Sequence, residues 1–532
     1  MLLYAIIFIS GAAILALELL ASRIMTPYFG VSLYIWTGIL SITLVSLALG
    51  YWLGGRLAAK AGAGRLLQLF TLMPALAAIA LVGACLAYPE LFPMLATWHL
   101  VLGAFVACLV LLFLPLVAAS AMNPLLVAIR IHAQRTARAA DAGAGKVFFV
   151  STIGSVAGVF LTAYALIPFI SNFAAVLIVA IILASLALTA VILAQGAFAG
   201  KGAVAVLAAA AAICAAVLLW NADAYTGRVG PYMYNGALWR LEASHSSLFG
   251  TVKVLRSDAD PQSGRFVRMY FQDGLTQNTV DSNHRSTSFY TYALEALARG
   301  FRPRMQNALV LGLGAGMVPM RLADLGVRVE TVEIDAVSRT VAERYFGFDP
   351  RKVRSHEADA RTYLRGCAGA YDLIVIDLFH GDGTPDYLVT RDFFRDLRTC
   401  LTQDGIAVFN TFADLERPQG YAHFLATLKV ELPHFALYRP HYPGSTHVNS
   451  FVVASGRPLP ALEKVTFDYV PSGHQETLWN MLSAPVPLTP ALLAGGRVIS
   501  DAINPAAHDH AQLQLVYRKS VVEGTPAAML IN

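Results

Sequence analysis

Hydrophobic positions fall along this chain in two unlike patterns. Up to about residue 220 they run on almost unbroken. Seven apolar stretches, at about 2–21, 33–53, 66–87, 98–120, 147–169, 173–195 and 203–220, approach the ~20 residues an α-helix needs to cross a bilayer. Farther on, short apolar runs alternate with helical patterns. Ala308–Leu311, Val327–Val332, Val353–His356, Tyr371–Ile376 and Gly405–Phe409 read as strands, with helix-like segments such as Met317–Leu325 between them. That alternation predicts a parallel doubly wound sheet, which binds ligands at the carboxyl ends of its strands. Ahead of it, Leu238–Leu255 and Phe266–Leu275 alternate with period two, as strands of a small β unit do. The expected fold is therefore multi-domain: an N-terminal α-helical polytopic membrane bundle of about seven spans (1–220), a linker (221–236), a small β subdomain with a connecting helix (237–300), an α/β Rossmann-like domain (301–456) and a C-terminal extension (457–532).

Composition sharpens this division. Hydrophobic residues make up 56% of the chain and charged residues only 14%, against ~25% charged in a soluble protein, so part of it belongs in lipid. Residues 1–220 hold 9 Lys and Arg against 3 Asp and Glu, so the net charge of +5 arises at the flanks of membrane spans and gives no reason to expect nucleic acid as a partner. The expected location is a bacterial inner membrane. Arg56, Lys60 and Arg65 in one loop and Arg130, Arg135, Arg138 and Lys146 in another mark those loops as cytoplasmic, and seven spans then leave the C-terminal domain on the outer face. Supply of a cytoplasmic substrate argues for the inner face. Cys85, Cys108 and Cys214 lie in apolar stretches, and Cys367 and Cys400 show neither metal spacing nor a disulfide framework.

Several polar positions inside the apolar half stand out. Glu18 in the first span needs a partner, for which Arg23 is the nearest candidate, and Asn123-Pro124 is expected to break the end of the fourth span. Gly154-Ser-Val-Ala-Gly158 allows close helix approach.

The chemistry is concentrated between Asn307 and Thr411. Gly312-Leu-Gly-Ala-Gly316 follows the first strand and opens a helix, a place where glycine lets backbone N–H groups approach a ligand closely. Glu333 and Asp335 end the second strand, Asp359 with Ala360 follows the third, and Asp377 ends the fourth. An acid after the second strand suits a pair of ribose hydroxyls, and one after the third suits an adenine amino group. With no basic residue in the glycine turn, the set points to an adenosyl ligand without a phosphate, and to no metal.

These segments, VLGLGAG, TVEID, EADAR and YDLIVIDLF, resemble the core of the spermidine synthases (polyamine aminopropyltransferases), within the S-adenosylmethionine-dependent transferases; with the apolar N-terminal half, the chain resembles the membrane-fused spermidine synthase-like proteins. The resemblance spans roughly 240–455. It implies a Rossmann-like transferase fold, binding of S-adenosylmethionine or its decarboxylated form by Gly312, Gly314, Gly316, Glu333, Asp335, Asp359 and Ala360, and Asp377 as catalytic base. It places Gln272 and Asp273, in a strand-end motif before a helix, and Tyr290 around a polyamine, although Tyr290 and Tyr292 suit core positions equally. Asp382, in the loop His380-Gly-Asp-Gly-Thr-Pro-Asp386, suits an anionic mouth for a cationic amine. Three departures stand out: Ala315 occupies the place of the acid that receives the amino end of the decarboxylated ligand, and Tyr292 and His380 occupy the approximate places of two further acids. Two methylthioadenosine-releasing reactions fit, aminopropyl transfer to a polyamine and intramolecular lyase chemistry giving homoserine lactone. The rivals are a methyltransferase acting on a membrane-associated substrate and a non-catalytic transporter or sensor.

Overall fold

The computed structural model describes residues 2–134, 140–194, 198, 200–227, 230–379, 383–414, 419–442, 447–505, 508 and 517–532. The chain divides into two compact units, one made of Met1–Tyr234, Ser246–Thr251 and Arg518–Asn532, the other of Asn235–His245 and Val252–Tyr517.

Among the described residues the first unit holds seven helices long and apolar enough to cross a membrane: α1 (Leu2–Phe29), α2 (Leu33–Ala59), α3 (Ala63–Trp98), α4 (Leu100–Ala133), α5 (Gly143–Leu166), α6 (Asn172–Leu193) and α7 (Lys201–Trp220). Close approach of α1 and α5 rests on missing side chains. A Cβ on Gly154 would overlap the carbonyl oxygen of Phe8, one on Gly158 that of Ala12, and one on Gly11 that of Ser151. Ser155 Oγ crosses the same seam to Gly11 O at 2.9 Å. Asn123-Pro124 does not end the fourth helix, which continues through Pro124 to Gln134, while Asn123 Nδ2 donates to Ser151 Oγ at 3.2 Å. That bond gives a buried amide a partner on the neighbouring helix. Arg23 donates to the carbonyl oxygens of Ser247 and Leu248.

The tail also departs from expectation. Residues 457–532 read as one extension packed on the soluble domain, yet Arg518–Asn532 belongs to the helical unit. There Arg518 Nη1 donates to Pro27 O at 3.1 Å, Asn532 Nδ2 to Arg23 O at 3.3 Å, and Phe173 N to Asn532 O at 3.1 Å. The stretch read as a linker carries a helical turn at Ala222–Tyr225 and a short strand, β1 (Tyr232–Tyr234).

The strands β2 (Ala237–Ser247), β3 (Gly250–Ser257), β4 (Val267–Gln272) and β5 (Leu275–Asp281) are neighbours in that order in one sheet, which apart from Ser246–Thr251 belongs from β2 onward to the second unit. Helix α8 (Phe289–Phe301) leads into β6 (Asn307–Leu311), β7 (Arg328–Glu333), β8 (Val353–Glu357), β9 (Tyr371–Ile376), β10 (Leu401–Asp414), β11 (His434–Tyr438) and β12 (His447–Ser455). These seven form a sheet of order β11-β12-β10-β9-β6-β7-β8, parallel from β10 through β8 and closed by antiparallel β12 and β11. Alternate strand residues face opposite sides, and both sides are buried. Leu309, Leu311, Ile374, Ile376, Ala407 and Phe409 pack with Phe393, Phe394, Leu397, Leu425 and Leu428. Ala308, Val310, Leu373, Val375, Ile406 and Val408 pack with Leu297, Val318, Leu322, Leu478 and Met481.

Cys367 and Cys400, which show no disulfide framework in the sequence, form a disulfide with Cα atoms 5.2 Å apart. Their 33-residue separation hid the pairing; the sheet closes it, since Ala370 N donates to Cys400 O at 2.9 Å where β9 begins and the helix Arg391–Cys400 ends.

The α1–α5 seam sets a stability prediction. Gly158→Leu should lower the melting temperature in detergent by the equivalent of roughly 1–3 kcal/mol or more, because the two backbones must part. Gly202→Leu, at a position with nothing within 4 Å of an added Cβ, should leave it nearly unchanged. Equal melting temperatures for both variants would refute the close packing.

Candidate active site

The sheet order creates the site. From β6 the chain moves outward through β7 and β8, then returns to β9 on the other side of β6, so the tips of β6 and β9 flank the point where strand order reverses. Gly312 lies at that point with φ +91°, and a Cβ there would overlap the carbonyl oxygen of Asp377. Asp377 N donates to Leu311 O at 2.9 Å and Gly312 N to Val332 O at 2.9 Å, tying three strand tips together. Gly314 also has positive φ, +51°, but nothing lies within 4 Å of its missing Cβ, so this part of the turn faces open space. Gly316, with φ +77°, begins helix α9 (Met317–Asp324) against the ring of Phe348. Ala315 between them is buried with Val252, Val254, Tyr270 and Phe346.

The acids differ in how their oxygens are engaged. Glu333 accepts from Leu313 N through Oε2 and from Asp335 N through Oε1, both at 2.9 Å, so its carboxylate is braced against the glycine turn. A carboxylate has about four acceptor positions, which leaves capacity for hydroxyl donors. Burial, outweighing these amide bonds, raises the Glu333 carboxyl above its usual range. Asp335 is buried and caps helix α10 (Ala336–Tyr345), accepting from Val337 N at 3.0 Å. Asp359 caps helix α11 (Ala360–Leu364) by accepting from Thr362 N at 2.8 Å, and Tyr387 Oη donates to its other oxygen at 3.1 Å. Ala360 is the buried first residue of that helix.

Asp377 is recessed at the tip of β9. Burial pushes its carboxyl up to about 6, against the opposing pull of a hydrogen bond from Asn410 Nδ2 at 2.8 Å. Asn410 Oδ1 in turn accepts from Asn449 Nδ2 at 2.8 Å. Tyr290, on α8, accepts from Asn278 Nδ2 at 3.0 Å, and Ser286 Oγ donates to Asn278 Oδ1 at 3.2 Å. Its phenol is raised well above the ordinary value, by burial first and by the charge of Asp377 second. Tyr292 lines a different cleft, of about 600 Å³, with Glu295, Arg321 and Tyr469.

Gln272 and Asp273 do not precede a helix. Gln272 pairs with Leu275 across a hairpin whose two central residues, Asp273 (φ +48°) and Gly274 (φ +89°), adopt the left-handed conformations that two-residue turns require. The buried Tyr270 phenol, bonded to Ser338 Oγ at 3.0 Å, is raised by burial and then by the charges of Glu333, Asp335 and Asp273. Asp382 and His380 lie outside the described residues. Among the described residues no group of three His, Cys, Asp or Glu side chains is placed to hold a metal ion.

Sequence reading missed Asn278, Asn410, Asn449 and Tyr387. Asn410 alone carried a signal, as a polar residue at the carboxyl end of the fifth strand; the others reach the site through pairings their own neighbourhoods do not encode.

The Asp377 carboxyl generates a pH prediction. A carboxyl raised from 3.8 to about 6 on folding makes the native state hold its proton longer than the unfolded chain, so stability falls as pH rises through that window. Asp377→Asn should therefore stabilise the protein above pH 6 by on the order of 2–3 kcal/mol and give no gain below pH 4. Melting curves at both pH values test this, and a gain confined to low pH would reverse the sign.

Comparison with known proteins adds to the geometry. Residues 287–458 match the Spermine/spermidine synthase domain family. A polyamine aminopropyltransferase of Vibrio vulnificus is 41% identical over 119 residues, 21% of this chain and 40% of that protein. A polyamine aminopropyltransferase of Thermoplasma acidophilum is 27% identical over 187 residues, 33% of this chain and 68% of that protein. An N-terminal histidine N-methyltransferase of Emericella nidulans is 32% identical over 177 residues, 31% of each chain. The chain thus spans less than half the length of the Vibrio and Emericella relatives. Residues 287–458 thus carry a domain similar to that of the spermidine synthases.

Proposed function

We propose that this chain is an integral membrane enzyme that binds S-adenosylmethionine or its decarboxylated form at the tips of β6, β7, β8 and β9 and releases methylthioadenosine by transferring the remaining chain to a polyamine. One observation carries the reading: Asp377, a carboxylate at the tip of β9, lies against Gly312 of a glycine turn whose next amide is held by Glu333. Glu333 takes the ribose hydroxyls, Asp359 the adenine amino group, and Gln272, Asp273 and Tyr290 bind the amine. The unprotonated amine attacks the carbon bonded to sulfur, a C–N bond forms, and the C–S electron pair departs with sulfur as neutral methylthioadenosine. Asp377 receives the proton that the amine loses.

Ala315 favours a second reading. Its burial among apolar side chains leaves no carboxylate from the glycine turn for the ligand's amino end, which removes one reason to prefer the decarboxylated ligand. S-adenosylmethionine itself can close intramolecularly, its own carboxylate displacing methylthioadenosine and giving homoserine lactone, with no amine and no base. Product analysis on detergent-purified protein separates these readings, using each sulfonium with and without putrescine. Methylthioadenosine with an aminopropylated amine is expected, and Asp377→Asn should lower that transfer by at least about 10²-fold. Lactone formation untouched by the substitution would favour the lyase. S-adenosylhomocysteine as the nucleoside product would establish the methyltransferase, and no nucleoside product at all would favour a transporter or sensor.

For sidedness we place the second unit on the outer face of the membrane. The basic loops and seven apolar helices support this, and so does the Cys367–Cys400 disulfide, since such bonds persist in oxidising compartments. A cysteine introduced at exposed Ser263 should react with a membrane-impermeant maleimide in intact spheroplasts. Labelling only after lysis would put the unit inside.

A further inference from the structure

Two half-buried side chains of the proposed site are each held by an asparagine that is itself held by another residue. Asn410 sits at the end of β10 and Asn449 on antiparallel β12, where Phe412 pairs with Asn449 and Asn410 with Phe451; the two asparagines are therefore diagonal neighbours on one face of the sheet. An amide offers a donor on one side and an acceptor on the other. Because Asn449 Nδ2 donates to Asn410 Oδ1, the Asn410 NH₂ group is the part turned to Asp377. The same logic operates at Tyr290, where Ser286 Oγ occupies Asn278 Oδ1 and turns the Asn278 NH₂ group onto the phenol oxygen. That oxygen accepts one hydrogen bond and keeps its own proton to donate.

We infer that Asn449 and Asn410 form a positioning relay that holds Asp377 as an ionised hydrogen-bond acceptor, and that Ser286 and Asn278 form its counterpart, holding Tyr290 as a donor. The inference rests on the reading of Asp377 as the acceptor of the amine's proton. A carboxylate so deeply placed tends to take up a proton and lose its power as a base. An N–H group that cannot rotate away opposes this at no cost of reorganisation. Among the described residues, Asn410 from β10 bonds the Asp377 carboxylate, and the charge of Asp377 raises the Tyr290 phenol on α8.

The relay makes a prediction that packing alone does not. In Asn449→Asp an acceptor replaces the donor, the Asn410 amide turns over, and its oxygen faces Asp377. The acid limb of kcat/KM for transfer from decarboxylated S-adenosylmethionine to putrescine should move up by about one pH unit, so that the rate at pH 6 falls about fivefold and recovers above pH 8. Infrared titration of the protonated Asp377 carboxyl on the full detergent-solubilised chain, assigned through its loss in Asp377→Asn, should show the same displacement whether or not the enzyme turns over. The double variant Asn410→Leu/Asn449→Asp keeps the added charge but removes the relay, and its displacement from Asn410→Leu should be less than half as large. An unmoved midpoint in Asn449→Asp, or an equal shift in the double variant, overturns the relay. Undiminished transfer by Asp377→Asn would remove the catalytic reading instead and leave the titration result standing.

Discussion

The approach of two strand tips at Gly312 is the constraint on which the site depends. β6 and β9 are sequence-distant parallel neighbours, and the carbonyl of Asp377 occupies the space that a side chain on Gly312 would fill. Any other residue would need both the left-handed backbone and that volume, and the two tips would separate. Their separation would carry Asp377 away from the glycine turn. Glu333 depends on the same junction, because its carboxylate accepts the Leu313 amide on the far side of Gly312. A single missing methyl group therefore sets the distance between the part of the site read as nucleoside-binding and the part read as basic.

Within the second unit, what was legible in the sequence was whatever local patterning specifies. Apolar runs of strand length bounded by glycine or an acid identified β6 to β10, and burial on both faces explains why those runs lack a polar alternation. Features made by distant segments were not legible. The Cys367–Cys400 bond needs β9 and the end of the helix Arg391–Cys400 to be adjacent, which is a property of the sheet. Asn449 reaches Asn410 only through the antiparallel register of β12 on β10, and no pattern near Asn449 marks it. The continuation of the fourth helix through Pro124 has a similar origin: the local rule says break, and a neighbouring helix supplies a partner for the adjacent Asn123.

The acids at the strand ends show why residue type and place do not by themselves fix a role. Asp335 and Asp359 each end a strand and begin a helix, and each side chain accepts a backbone N–H of that helix. An aspartate in that place satisfies the free amides of a helix start whatever ligand is present. Glu333 and Asp377 differ because neither caps the helix that follows. Glu333 reaches back to the glycine turn, and Asp377 meets an amide from a neighbouring strand. Both sit where burial works against their charge, a setting in which structural acids are uncommon and functional ones are frequent.

That contrast bears on how the cleft distinguishes one sulfonium from another. A carboxylate from the glycine turn would have to replace Ala315, whose neighbours Val252, Val254 and Phe346 provide no partner for a charge. Placing an anion there would bury it against the β sheet at a cost of several kcal/mol. Under the proposed function the amino end of the ligand would be met from elsewhere, and Asp273, whose charge raises the same buried tyrosine as those of Glu333 and Asp335, is the acid we propose for it. Selectivity for the ligand's charged end would then reside in a two-residue turn whose conformation is fixed by Gly274, outside the Rossmann-like fold altogether.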